Sequence, residues 1–172
     1  MNAFTEKQRF TQWWIWVILL LPPLFILGGI ALESPAMEGV NTDSVGFILV
    51  VLLLSVALLG VKLETRIDST GISARLFPFH WTYRTFHWSA LASVQVRKYQ
   101  PIREFGGWGY RSWGGKKGNA WNISGNKGIQ LKFISGRELL IGTQKPEEIE
   151  KYLTKLATDF PDLDIPLLEG NK

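Results

Sequence analysis

The sequence predicts a membrane-anchored α+β chain: a two-helix transmembrane hairpin, then a small antiparallel β domain closed by one C-terminal amphipathic helix. Three observations carry this expectation. Two long uncharged apolar runs, Trp13 to Leu32 and Val45 to Val61, fill most of the first third of the chain. From Leu63 onward, short runs alternate apolar and polar residues between turn residues, the period-two pattern of half-buried strands. Near the C-terminus the apolar residues Ile149, Leu153, Leu156, Ala157 and Phe160 recur at helical spacing.

The first run matches the roughly 20 residues that a helix needs to cross hydrocarbon, and the second, extended by a snorkelling Lys62, sits near the lower limit of about 17. The competing reading is a pair of buried helices in a soluble protein, punctuated by Pro22, Pro23, Gly28 and Gly29. Trp13, Trp14 and Trp16 fall where an interfacial aromatic belt would lie. Lys7 and Arg9 precede the hairpin and Lys62 and Arg66 follow it, whereas the connection 33–44 holds Glu33, Glu38 and Asp43 and no base. The positive-inside bias then implies an inner-membrane, multi-pass location with both termini cytoplasmic.

The organisation expected is a polar leader 1–12, a hairpin 13–62 with helices 13–32 and 45–62, a β domain 63–160 whose helix covers 146–160, and a tail 161–172. Leu63–Ile67 and Ile72–Phe77 flank the turn Asp68-Ser69-Thr70-Gly71 and form the first hairpin. Thr82–His87, Ser93–Tyr99, Asn119–Ser124, Ile129–Ile134 and Glu138–Gly142 read as further strands. Pro146 at a first helical position, with Glu147 and Glu148 in the first turn, opens the helix, and Pro161 ends it. An antiparallel sheet rolled into an open barrel, one end covered by that helix, satisfies this order.

The run Trp88-Ser89-Ala90-Leu91-Ala92-Ser93-Val94, then Phe105-Gly106-Gly107-Trp108-Gly109-Tyr110-Arg111, Gly128-Ile129-Gln130-Leu131 and Leu140 to Glu148 resembles the bacterial membrane proteins that carry a pleckstrin-homology-like domain behind two transmembrane helices. The resemblance covers Leu63 to Phe160 and implies a barrel or split sheet with a C-terminal helix. Relatives that bind inositol lipids carry a basic cluster in the first hairpin turn. Here that turn is flanked only by Arg66 and Arg75.

The stretch 99–118 is the candidate binding loop. It interleaves Gly106, Gly107, Gly109, Gly114, Gly115 and Gly118 with Trp108, Tyr110 and Trp113, and with Arg103, Arg111, Lys116 and Lys117. Glycines let backbone amides approach an anion, arginine offers a planar fork, and the aromatics are typical interface anchors. Arg111 either faces a concave site or pairs with Glu104. The alternative is a structural connection between strands, with Trp108 on the core and the charges solvated.

Function classes narrow accordingly. His80 and His87 are the only histidines and there is no cysteine, so no metal-ligand spacing and no thiolate chemistry is available. No hydrolase, nucleotide-binding or metalloprotease motif occurs, and neither an enzyme nor a cofactor is expected. The expectation is a non-catalytic scaffold that contacts a protein partner or its own copies, with recognition of an anionic lipid or small anion as the alternative, and an accessory component of an enzyme or transporter as a third. The net charge of +4 favours acidic partners. Nucleic acid is the weaker candidate, since no recognised motif accompanies the aromatics.

Overall fold

The computed structural model describes residues 3–10, 13–33, 42–112 and 118–168. The chain divides into two compact units, Met1–Arg9 with Lys62–Lys172, and Phe10–Val61.

The smaller unit holds α1 (Trp13–Glu33) and α2 (Thr42–Gly60). Leucine, isoleucine and valine surround both helices, so neither has a polar face. The two pack on each other, burying Val51 and Ser55, whose hydroxyl donates back to the Val51 carbonyl at 2.8 Å. Most other apolar side chains there are exposed, Phe25 at 84% and Leu53 at 70% among them. Two helices are present where the sequence places them, but among the described residues no helix is long and apolar enough to cross a membrane. The transmembrane hairpin is corrected on that ground, and with it the inner-membrane, multi-pass location and the cytoplasmic termini. Most of the acidic connection 33–44 lies outside the described residues.

The larger unit is built on two sheets. The first has the order β1-β2-β3-β4, all antiparallel, from β1 (Phe4–Arg9), β2 (Lys62–Asp68), β3 (Gly71–Phe77) and β4 (Arg84–His87). Its buried face alternates along β2 and β3 through Leu63, Ile67, Ile72, Ala74 and Leu76. Gly71 makes the β2–β3 turn close against β4: at φ +152°, a Cβ there would lie 2.1 Å from the Phe86 carbonyl oxygen. Strand β1 is the surprise. The polar leader pairs along β2 from Phe4↔Ile67 to Arg9↔Lys62, so the smaller unit leaves and re-enters the sheet at one rung.

The second sheet runs β5-β8-β9-β7-β6, from β5 (Leu91–Lys98), β6 (Gly109–Arg111), β7 (Asn119–Asn122), β8 (Lys127–Phe133) and β9 (Glu138–Thr143). β8 and β9 form an antiparallel hairpin, whereas β7 lies parallel to β9. Helix α4 (Pro146–Asp159) packs on β5 and β8 with Ile149, Leu153 and Leu156 buried. The fold is therefore α+β with a four-stranded and a five-stranded sheet, and among the described residues no helix is long and apolar enough to form the expected transmembrane hairpin. The pleckstrin-homology-like antiparallel barrel is corrected too. A strand from the leader heads the first sheet, and the parallel β7–β9 pair breaks the meander that adjacent hairpins would give.

β1 also ties the sheets together. Its inward side chains Glu6 and Gln8 are buried among polar groups of the second sheet. Glu6 accepts from the Thr143 hydroxyl at 2.6 Å and the Gln144 N–H at 2.8 Å, and the Gln8 amide donates to the Gly142 carbonyl at 2.7 Å. Phe4 meets Tyr152 of α4 at 5.8 Å between ring centroids.

Candidate binding surface

The stretch 99–111 is an ordered connection rather than an open loop. Pro101 starts a one-turn helix, α3 (Pro101–Phe105), which Gly106 ends in the left-handed conformation at φ 72°. Glu104 accepts from the Gln100 N–H at 2.8 Å and pairs with Arg97 at 2.9 Å. Tyr99, 2% exposed, takes a 3.0 Å hydrogen bond from the Asn122 amide, and the Asn122 oxygen accepts from the Gly109 N–H at 2.9 Å. Burial pushes the Tyr99 hydroxyl above its ordinary pKa, the Asn122 bond and Arg97 only partly opposing it. It is a neutral structural group.

The sequence candidates separate across this connection. Arg103 is exposed on α3, with its guanidinium 3.4 Å from the Gln100 side-chain oxygen. The Trp108 indole donates to the Gly125 carbonyl at 3.0 Å. Arg111, half-buried on β6, lays its guanidinium where a Cβ on Gly107 would sit, 3.0 Å away, and its Nε is buried without a partner. Trp113, Lys116 and Lys117 lie outside the described residues. Among the described residues no group of His, Asp and Glu could hold a metal ion.

Among the described candidates, Tyr110 joins a larger assembly of rings. Strand alternation turns it to the opposite face from Arg111, and there it stacks on Phe79 with centroids 5.3 Å apart and planes 16° apart. His80 meets the Tyr110 ring edge-on at 5.3 Å and the Trp121 ring at 4.3 Å. Phe86 of β4 touches Trp121 and Phe133 at 5.9 and 5.5 Å, so these rings join the two sheets. The Arg84 guanidinium lies 6.0 Å above Trp121. Phe77 meets Trp81 in a T-shaped contact at 5.4 Å.

Depth divides this cluster. His80 and Trp121 are buried at 7% and 4% exposure, while Phe79 and Trp81 stand out at 57% and 77%. Burial and the Arg84 charge both lower the His80 pKa, so the ring is neutral, and its Nδ1 is buried without a hydrogen bond. The β3–β4 turn is held from the other side by Glu64, which accepts from Arg75 at 2.8 Å and from the Tyr83 hydroxyl. Burial would raise the Glu64 carboxyl, but the bonds from Tyr83 and Arg75 and the Arg75 and Lys7 charges outweigh it and hold it below the ordinary range. Burial and the Glu64 bond in turn raise the Tyr83 hydroxyl. Arg75 completes the triad over the Tyr83 ring at 4.7 Å.

Sequence reasoning missed Phe79, Trp81 and Arg84 as surface anchors. The usable signal was the density of aromatics from Phe77 to Trp88, more rings than one short strand can bury on a single face. Comparison with known proteins leaves the assignment to this geometry: no family model and no curated protein matches the chain, so the pleckstrin-homology resemblance has no support beyond the residues that suggested it.

Proposed function

We propose that the chain is a non-catalytic protein-interaction module whose contact surface is the aromatic face of Phe79, Trp81 and Tyr110, with Arg84 at its side. The observation that supports this is the pair of large exposed rings in the β3–β4 connection, Phe79 stacked on Tyr110 and Trp81 set edge-on against Phe77. Rigid aromatics beside an arginine are the residue types that dominate binding hot spots, because they bring large apolar area at low entropic cost. The excess of bases over acids in the chain favours a partner segment that carries acids near its apolar contacts.

A photoreactive phenylalanine placed at Trp81 or Phe79 in living cells tests the reading. Discrete adducts from both positions, with none from Ser89, are expected. Absence of any adduct, or equal capture at Ser89, would defeat it. A second reading, small-anion recognition at Arg111, draws on its buried unpartnered Nε. Inorganic phosphate that protects the chain thermally, with the effect lost in Arg111→Gln, would favour it.

A further inference from the structure

The solvent side of the first sheet carries a charge pattern of its own. Antiparallel pairing sets its outward side chains in rows across the strands: Arg9, Lys62 and Phe77, then Lys7, Glu64 and Arg75, then Thr5, Arg66 and Ser73. Bases outnumber acids on this side, where Glu64 and, at the turn, Asp68 oppose them. Both carboxylates are engaged: Glu64 accepts from Arg75 and Tyr83, and Asp68 from the Thr70 N–H. Bases of the second sheet and α4 find acids nearby, as in Lys127–Glu147, Lys132–Glu138 and Lys145–Glu148. Among the described residues Lys7, Arg9, Lys62 and Arg66 join no ion pair.

The row without an acid runs into the aromatic face. Its β3 member, Phe77, is half-buried, and the exposed Trp81 stands edge-on against it with centroids 5.4 Å apart. Trp81, Phe77, Lys62 and Arg9 thus make one strip, apolar at one end and basic at the other, with Lys7 beside the basic end. Strands lie about 4.8 Å apart and an extended chain rises about 3.3 Å per residue, so a segment anchored on the rings reaches Lys62 and Arg9 about two to five residues on.

We propose that this strip seats an extended acidic segment of the protein partner, its apolar anchor on Trp81 and Phe77 and its Asp or Glu side chains on Lys62, Arg9 and Lys7, a placement that rests on the protein-interaction reading of the aromatic face. Charge complementarity selects acids, and the strip's continuity with the exposed rings selects a chain that carries both kinds of side chain. Single-stranded nucleic acid stacks successive bases on successive rings. Along this strip Trp81 is the one open ring, the Tyr83 ring being capped by the Arg75 guanidinium at 4.7 Å. A lipid layer would spread phosphates over the whole face and meet Asp68 as well, whereas an extended chain sets its carboxylates along one row.

The test maps photo-crosslinks in living cells from the full chain with a photoreactive phenylalanine at Trp81 or at Lys7. Mass spectrometry should find the same partner protein at both, joined from Lys7 within about five residues of a cluster of Asp and Glu. Arg9→Gln with Lys62→Gln should lower the Trp81 adduct about fivefold, two surface charge contacts at roughly twofold each. Lys151→Gln with Lys155→Gln, the same loss of charge on α4, should leave it unchanged. No adduct at Lys7, different proteins at the two positions, a Lys7 junction without acids nearby, or equal loss from both charge pairs would overturn the proposal. A Lys7 adduct that nuclease digests, or that proves to be lipid, would make the occupant nucleic acid or a lipid layer and overturn it too. No adduct at Trp81 or Phe79 defeats the aromatic-face reading and this one with it, whereas a Trp81 adduct undiminished in Arg9→Gln with Lys62→Gln defeats this one alone.

Discussion

Replacing Glu6 by alanine should destabilise the β unit by about 2–4 kcal/mol, although the residue lies in a segment whose sequence reads as a solvated leader. Glu6 is 4% exposed, and its carboxylate accepts from the buried Thr143 hydroxyl and from the Gln144 N–H. Truncation strands both donors, and each buried unsatisfied group costs about 1–3 kcal/mol, the lower half of that range applying to the partly exposed Gln144 amide. Thr143 also accepts from the Lys145 N–H at 2.9 Å, so its hydroxyl cannot simply turn to water without disturbing the entry to α4. Glu6→Gln keeps one carbonyl acceptor in place and should cost about half as much. Thermal unfolding followed by tryptophan emission is a suitable assay, since Trp88 and Trp121 are buried in this unit. At about 4 °C per kcal/mol for a unit of this size, Glu6→Ala should lower Tm by about 8–16 °C, and the exposed neighbour change Thr5→Ala should leave it nearly unmoved. A Glu6→Ala protein melting within 2 °C of wild type would show that β1 does not staple the sheets.

Other outcomes follow from the same geometry. His80 has a folded pKa below its ordinary 6.5, so the unfolded chain binds the proton first. Stability should be full above pH 6.5 and fall as the pH drops toward the folded value, and a urea titration of His80→Phe should show that loss abolished. Glu64 has a folded pKa below 4.5, so the stability it contributes is present above that value and disappears as the pH falls through the folded one. Glu64→Gln should remove this acid limb and, by stranding Arg75 and the Tyr83 hydroxyl, cost about 1–3 kcal/mol at neutral pH. Gly118→Ala and Gly125→Ala form an internal control. Both glycines have φ +78°, but a Cβ at Gly118 would lie 2.4 Å from the Glu138 carbonyl oxygen and one at Gly125 meets nothing within 4 Å. Denaturation should show a loss of about 1 kcal/mol at Gly125, from backbone strain alone, and a clearly larger one at Gly118.

Much of the larger unit was legible because its signals are local. The turn Asp68–Gly71, the alternation of Ile129, Leu131 and Phe133, and the proline-opened stripe from Ile149 to Phe160, whose members Ile149, Leu153 and Leu156 are buried, each specify an element without reference to the rest of the chain. The Asp68 carboxylate accepts from the Thr70 N–H at 2.8 Å, the local bond expected of such a turn. What escaped was non-local. Thr5, Lys7 and Arg9 look solvated because one face of β1 is, and nothing in Phe4–Arg9 announces a partner strand more than fifty positions away. The parallel pairing of β7 with β9 leaves no mark on either strand's composition. The glycine-rich stretch misled for the opposite reason. Gly106, Gly107 and Gly109, all at positive φ, serve a helix cap and a tight return to β6. The same residues would suit an anion cradle, and sequence does not separate the two.

The pairing of Arg9 with Lys62 makes the first hairpin of the chain one whose turn has been replaced by the whole helical unit, Phe10–Val61. That unit is a guest between two neighbouring strands, and its two attachment points face each other across a single rung. A host of this kind should survive excision: with a two-residue Asn-Gly turn grafted from Arg9 to Lys62, closing the rung no longer means gathering about fifty residues, a saving of about 2–3 kcal/mol in chain entropy. Conversely, anything that pulls the ends of the helical pair apart would act first on that rung, as a zip fastener opens from its slider.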